Sequence, residues 1–448
     1  MRLFEWHSAV FEGHKNIIPE FVEYLSGVWQ NRNRYIELAE NVTEEEQQEQ
    51  RIQKQRFFDF TIDGKISARN YVGVVQYEGI RIEVYPKIFA DDEGEKLKKW
   101  QLNLLYWLSY CRKIKFPFSF ANVTKLKFDD YLELLIYVFA NYTEEIISQQ
   151  PFHAYQKVEE ETAFLKGRLL FENYTKHNLS TGKWQNFYCT HEPFVYDNQF
   201  NRIIKYVAKR LSAISENYLN KEKLNEILFL LHDVSDIPCT AEDCERVKLN
   251  PLYDDHKHIL ELCKLYLSNQ VIDMNSEDSR NFCFLIPMEY IFEEFIFGFV
   301  SDKWQSLKIR SQSTDYLALN QGSQVFQIRN DMYINDKLII DTKYKIRGTR
   351  DGLKAGVSQN DLYQMVGYAL RRSCNNVLLL YPHSEKALNT PASFQIPSQM
   401  LPEVITIHVQ NLDITFDNIH EADELMKLRV TDIDPIFRMS HMTTFRPT

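Results

Sequence analysis

The segment VFQIRNDMYINDKLIIDTKYKI, Val325 to Ile346, holds two aspartates and a lysine whose spacing suits phosphodiester hydrolysis. Two β runs flank Asn335-Asp336-Lys337, which has the chemistry of a tight turn. With Asp336 at the middle of a three-residue hairpin loop, Asp331 and Asp341 are equidistant from it and face each other across the strands. Directly opposed residues on one face have Cβ atoms about 5 Å apart. Lys343 stands two residues beyond Asp341, so the strand's period of two puts its side chain on the same face. Two carboxylates held that close repel each other, and a divalent cation is the natural compensation. Mg²⁺ in particular takes one or two carboxylates and completes its shell with water and phosphate oxygens. The adjacent ammonium could orient or help deprotonate a water, and could stabilise charge developing on the phosphoryl group. Asp341 follows the apolar run Leu338-Ile339-Ile340, so it emerges from core, where an acid without a task is uncommon.

Three neighbouring features extend this set. In SQNDLYQMVGYALRR, Gln364 and Tyr368 are four apart and share a helical face, from which they could orient a phosphate or the lysine. Between Lys343 and Lys354 stand Lys343, Lys345, Arg347, Arg350 and Lys354 against Asp351 alone. Lys345, Arg347, Arg350 and Lys354 are the expected grip on a DNA backbone. Upstream, the apolar helix MEYIFEEFIFGFV carries Glu289 and Glu293 on one face, and Glu293 is a candidate further carboxylate for the metal.

The elements that must position these residues are of both kinds. Tyr71–Val75 and Ile80–Tyr85 read as strands around a Gly79 turn, and 306–346 as a β-rich block, with further strands at 376–381 and 404–409. Helical spacing marks Lys96–Cys111, Asp129–Ile147, 198–216, 221–232, 254–269, 285–304 and 358–373. The stretch 160–205 reads as a mixed connector, and the polar run 43–55 as a solvated projection. The expected fold is mixed α/β, with an N-terminal β-rich and helical domain (1–155), a helical connector (156–280) and a C-terminal catalytic domain (281–448).

Composition removes several function classes. The chain has 448 residues with 14 Gly and 14 Pro, which argues against flexible linkers or repeats as a major component. No run reaches the ~18 apolar residues of a membrane-spanning helix, and the N-terminus lacks an apolar leader, so a cytoplasmic location is expected. Seven cysteines without a C-x-x-C pair read as buried thiols. His256 and His258 read as a solvent-facing pair. There is no G-x-x-x-x-G-K-[ST] loop, H-E-x-x-H or G-x-S-x-G motif. A net charge of −10 requires that any DNA contact be local or shared with a partner.

Asp331, Asp341-Thr342-Lys343 and Gln364-x-x-x-Tyr368 together resemble the PD-(D/E)xK nuclease core in its RecB-like form. More narrowly, the chain resembles the McrC family, nuclease subunits of McrBC-type modification-dependent restriction systems. Supporting stretches are Tyr71–Val75, Ile82-Glu83-Val84-Tyr85-Pro86-Lys87-Ile88, Gly167-Arg168-Leu169, Phe187-Tyr188-Cys189, Asp197 with Asn201–Lys205, Phe292-Glu293 and Tyr363-Gln364-Met365. The position before Asp331 is Asn330 where the family usually has Pro, a departure that touches strand entry more than chemistry. The resemblance implies a Mg²⁺-dependent endonuclease in antiphage defence, acting on modified double-stranded DNA. It also implies a separate McrB-like AAA+ GTPase, which alone binds GTP and receives the N-terminal domain in its ring. A non-catalytic adaptor of an AAA+ motor and a RecB-like repair nuclease are the alternatives.

Overall fold

The computed structural model describes residues 1–11, 17–31, 55–61, 63–90, 96–112, 131–268, 281–348, 352–397 and 404–442. Of the polar run 43–55 only Gln55 is described, and it corrects the solvated reading: it is buried, its side chain bonding the backbone of Phe57 and Phe58; Arg350 also lies outside the described residues. The chain groups into two compact units, Met1–Tyr131 with Asn269–Thr448, and Leu132–Ser268. These lines differ from the three stretches expected from the sequence. Both kinds of element are present throughout, and the mixed α/β class is borne out.

In the first unit the chain opens with β1 (Arg2–Phe4), β2 (Ser8–Val10) and helix α1 (Ile18–Asn31). Then come β3 (Phe58–Phe60), β4 (Lys65–Ala68), β5 (Tyr71–Tyr77), β6 (Ile80–Tyr85) and helix α2 (Lys96–Tyr110). β2, β4 and β3 make a small sheet in that order. β5 and β6 form the expected hairpin, closed by Glu78 and Gly79, both at positive φ as a tight hairpin turn requires. β1 pairs parallel with β6. A ring-rich core of Phe21, Trp29, Phe57, Phe58 and Tyr71 packs beneath these strands.

The second unit begins with α3 (Tyr131–Gln149), and antiparallel strands β7 (Val158–Thr162) and β8 (Phe187–His191) follow. Helices α4 (Gln199–Ile214), α5 (Tyr218–Leu230) and α6 (Asp254–Ser268) lie within a turn of their expected bounds. Asn198 caps α4 by accepting from Asn201 N at 3.2 Å. Asp197 binds Arg202 Nε at 2.7 Å and the Ser235 hydroxyl at 2.6 Å, and Asn201 Nδ2 donates to the Phe152 and Tyr196 carbonyls. The stretch Asp197–Arg202 therefore holds this unit together. His256 corrects the solvent-facing reading: it is fully buried, ringed by Phe152, Phe200 and Tyr253, with Nε2 3.0 Å from the Gln150 carbonyl.

Returning to the first unit, β9 (Phe282–Pro287) precedes helix α7 (Met288–Lys303). The helix expected over 285–304 thus begins later, because 282–287 pair antiparallel with β5 and complete the sheet β1-β6-β5-β9. The join is tight. Gly73 has φ 133°, and a Cβ there would lie 2.0 Å from the Phe284 carbonyl oxygen, so only glycine lets the strands meet. α7 is apolar almost all round because it is covered on every side: Phe295 and Phe299 pack on Tyr106 and Tyr110 of α2. Glu294, wholly buried, is held by Arg112 at 2.7 Å.

A six-stranded sheet follows. Its members are β10 (Ile309–Asn320), β11 (Ser323–Ile334), β12 (Leu338–Thr342), β13 (Asn376–Pro382), β14 (Ala392–Ile396) and β15 (Ile405–Leu412), in the order β10-β11-β12-β13-β15-β14. Helix α8 (Gln359–Arg372) crosses one face, where Met365, Tyr368 and Ala369 pack on Ile339, Val377 and Leu379. The tail after 410 continues into helices α9 (Ala422–Ile433) and α10 (Pro435–Met442). All seven cysteines are free and buried, as expected. No helix among the described residues is long and apolar enough to cross a membrane.

Replacing Gly73 tests the join between β5 and β9. Gly73→Ala is expected to destabilise the first unit by about 3 kcal/mol, through positive φ and the backbone clash together. Gly79→Ala, whose Cβ meets nothing within 4 Å, should cost less. Thermal unfolding followed by circular dichroism ranks the two.

Candidate active site

The hairpin between β11 and β12 sets the geometry. Asn335 and Asp336 both adopt positive φ (50° and 58°), which short side chains of this type tolerate, and Lys337 N closes the turn on the Ile334 carbonyl at 3.0 Å. Pairing runs Ile334↔Leu338, Tyr333↔Ile339, Met332↔Ile340, so Asp336 is its midpoint and Asp331 and Asp341 occupy the next rung. There the ladder gives way to side chains: Asp331 Oδ2 accepts from the Thr342 backbone N–H and hydroxyl, each at 2.7 Å. β12 also runs parallel to β13, with Asp341 opposite Leu379 and Lys343 N donating to the Leu380 carbonyl at 2.8 Å. Being central in the sheet and roofed by α8, Asp341 is 1% exposed.

Lys343 is the only cation within hydrogen-bonding range of Asp341 among the described residues, its Nζ 2.8 Å from Oδ2. A second bond from Nζ goes to Gln364 Oε1 at 2.9 Å. Gln364 Nε2 donates to the Tyr368 hydroxyl at 2.6 Å, and that hydroxyl donates to the Arg329 carbonyl at 2.6 Å. Gln364 and Tyr368 are thus committed to a relay that runs from the backbone of β11 to the ammonium. Glu293 on α7 is buried and accepts from Gln312 Nε2 at 3.1 Å.

Electrostatics follow from this burial. Desolvation, then the charge of Glu293, lifts Asp331 to about 7. Desolvation, then the charge of Asp331, lifts Asp341 to about 7. Glu293 is raised chiefly by burial, with Glu294 and Asp341 adding to it. Burial alone would lower Lys343, but Asp341 and Asp331 outweigh it and keep the ammonium above the ordinary lysine range. An amine so held is a donor and a charge, not a base.

The donors fit a small divalent cation. Asp341 Oδ2 is a buried carboxylate oxygen that accepts no hydrogen bond of good geometry, Lys343 being close but poorly aligned. No three His, Cys, Asp or Glu side chains among the described residues converge closely enough to hold a metal ion unaided. Water and phosphate oxygens would have to complete the shell, which is the habit of Mg²⁺.

The basic run behaves differently from expectation. Arg347 is a correction: at 1% exposure its guanidinium donates to the Thr390 carbonyl at 2.8 Å and lies against the Tyr381 ring. It ties the loop after β12 to the sheet and cannot meet a phosphate as placed. Lys345 is half exposed and bonds Asp361 at 3.1 Å, and Lys354 is exposed. Spacing alone missed Thr342, Gln312 and Asp361, which hold Asp331, Glu293 and Lys345. Of these only Thr342 had a local signal, its place between Asp341 and Lys343.

Residues 66–382, well over half the chain, match the family described as McrBC 5-methylcytosine restriction system component. No curated protein matches. Among solved structures, one similar chain belongs to the refined half-complex from the tetradecameric assembly of Thermococcus gammatolerans McrB AAA+ hexamers with bound McrC. Its TM-score is 0.68 at 18% identity, covering 97% of this chain and 100% of that one. A second, from the cryo-EM structure of the Thermococcus gammatolerans McrBC complex, has a TM-score of 0.50 at 20% identity, covering 66% of this chain and 86% of that one.

The raised carboxylates have a measurable consequence. Between the ordinary aspartate value of 3.8 and about 7, the folded chain binds more protons at Asp331 and Asp341 than the unfolded chain does. These two groups therefore lower stability as pH rises through that window, and the loss is complete above it. In metal-free protein, Asp341→Asn is expected to gain stability relative to wild type across the window, with the difference level above about pH 7. Denaturant midpoints of both proteins at several pH values check this.

The family match bears out the resemblance read from the sequence, and the chain belongs to the McrBC 5-methylcytosine restriction system component family.

Proposed function

We propose that this chain is the nuclease subunit of a McrBC-type restriction system, hydrolysing phosphodiester bonds of modified double-stranded DNA with Mg²⁺. The observation that carries the reading is the meeting of Asp331 and Asp341 beside Lys343 at the buried end of β12. The PD-(D/E)xK assignment of this sheet and its roofing helix rests on the same residues.

Asp331 and Asp341 would hold the metal, with Glu293 flanking them. Mg²⁺, when bound, supplies positive charge against the phosphate and makes water a stronger acid. Lys343, anchored by Gln364, keeps its proton at Nζ and donates to the oxygen on which charge develops, at the same time orienting the attacking water. In the balanced reaction, water oxygen bonds to phosphorus, one ester P–O bond breaks, and the proton lost by water ends on the alkoxide leaving group or in solvent. Thr342 and Gln364 fix one carboxylate and the amine, and α8 shuts out bulk water from behind. Lys345 and Lys354 lie on the loop that follows and would meet the backbone; Arg350 falls outside the described residues.

The partner is a McrB-like AAA+ GTPase. The solved relatives named above are McrBC assemblies, and this chain carries no phosphate-binding loop of its own, so GTP would enter only through the partner.

Asp341→Ala and Lys343→Ala, purified with the AAA+ partner, are expected to cut methylated plasmid at least ~100-fold more slowly than wild type while still stimulating its GTPase. Undiminished cutting by either variant would sink the assignment.

A further inference from the structure

Tyr85 ends β6 of the N-terminal sheet, and Lys87, two residues on at the start of a short 3-10 turn, reaches the end of the catalytic strand. β12 ends at Thr342, and Tyr344 stands beyond the last rung, one residue past the catalytic amine. Its side chain points away from Lys343, into a pocket made by the N-terminal sheet and α7, where it is 2% exposed and its ring meets that of Phe292 at 5.7 Å. Two groups from the N-terminal strands grip it. Lys87 Nζ donates to the Tyr344 carbonyl at 2.9 Å and lies 4.3 Å from the centre of its ring. Glu5 Oε2 accepts from the Tyr344 hydroxyl at 3.0 Å and from Lys87 N at 2.9 Å. Glu5, just after β1, is fully buried. A buried carboxylate and an ammonium brought to one tyrosine are costly to desolvate, so they are not there for stability by default.

The geometry also says what the grip controls. Lys343 has one backbone tie to the sheet, its N–H on the Leu380 carbonyl, and its own carbonyl accepts from Lys345 N at 2.7 Å in a tight bend. The direction of its side chain therefore depends on where the next peptide is held. Burial raises Glu5 to about 7, and Lys87 and the Tyr344 hydroxyl both pull it back toward the charged form.

We propose that Glu5 and Lys87 are positioning residues for the nuclease reaction, clamping Tyr344 so that Lys343 is aimed at the carboxylate pair. This inference rests on the nuclease reading above. It makes the amino-terminal strands part of the catalytic architecture, so a displacement of β1 and β6 would be felt at the amine without any change in the carboxylates.

The test uses the full chain with its AAA+ partner and methylated plasmid, with Lys87→Met, Lys87→Arg, Tyr344→Phe and Lys343→Ala side by side. Lys87→Met and Tyr344→Phe are expected to lower kcat about tenfold, with KM for DNA and GTPase stimulation unchanged and the variants still folded at the assay temperature. Lys87→Arg, which still donates to the carbonyl, should recover most of the rate. Wild-type kcat in both Lys87→Met and Tyr344→Phe overturns the clamp, as does a loss that falls on KM, GTPase stimulation or folding at the assay temperature in place of kcat. Lys343→Ala separates the two readings. If it cuts normally, the nuclease assignment falls; if it is inactive while Lys87→Met is normal, only the clamp falls.

Discussion

Two carboxylates facing each other across a tight turn, inside a sheet, are the constraint around which the six-stranded sheet and its helix are arranged. A rung that would ordinarily carry a β-branched pair carries Asp331 and Asp341, and their mutual repulsion and desolvation both work against folding. The fold answers with one ammonium, two donors from Thr342 and a polar relay from α8. None of these cancels the charge fully, and both acids stay far above their ordinary range. Perturbed acids of this kind, brought together by the fold, are the mark of a candidate functional site.

Much of the surrounding polarity serves alignment. Gln364 and Tyr368 connect Lys343 to the Arg329 carbonyl, so the helix and β11 tether the tip of the amine. Arg347, Lys345 and Asp361 tie the following loop to the sheet and to the start of α8. The basic run after β12 is therefore partly internal, and the surface charge left for a nucleic acid is smaller than its composition suggests. For a chain of net charge −10, this fits a division of labour in which a partner supplies most of the grip on DNA.

The four-stranded N-terminal sheet and the six-stranded sheet of the first unit are linked through short segments that carry large consequences. β9 closes the N-terminal sheet and leads directly into α7, which brings Glu293 toward Asp331 and buries Glu294 against Arg112. Gly73 lets β9 approach. Tyr344 reaches back to Glu5 and Lys87 from the other direction. Amino-terminal strands and β12 thus share one framework, although Tyr344 lies 339 residues from Glu5 and 257 from Lys87 in sequence.

Local chemistry made the centre of this protein readable in advance. Asn335-Asp336 marks a turn, the turn sets the register, and a period of two then places Asp331, Asp341 and Lys343 on one face; each step involves neighbours a few residues apart. Gln364 and Tyr368 follow from helical spacing in the same way, as do most helix and strand positions. Tertiary structure alone decided the rest, because it depends on which distant segment comes to lie against which. Residues 285–287 read as helix until β5 is there to pair with them. Arg347 looks like a phosphate ligand until the sheet and Thr390 enclose it, and His256 looks solvent-facing until three rings surround it. Glu5 and Lys87 give no local sign of their contact with Tyr344. Burial and partnership are properties of contacts remote in the chain, and a side chain's charge and reach acquire their meaning only after those contacts form.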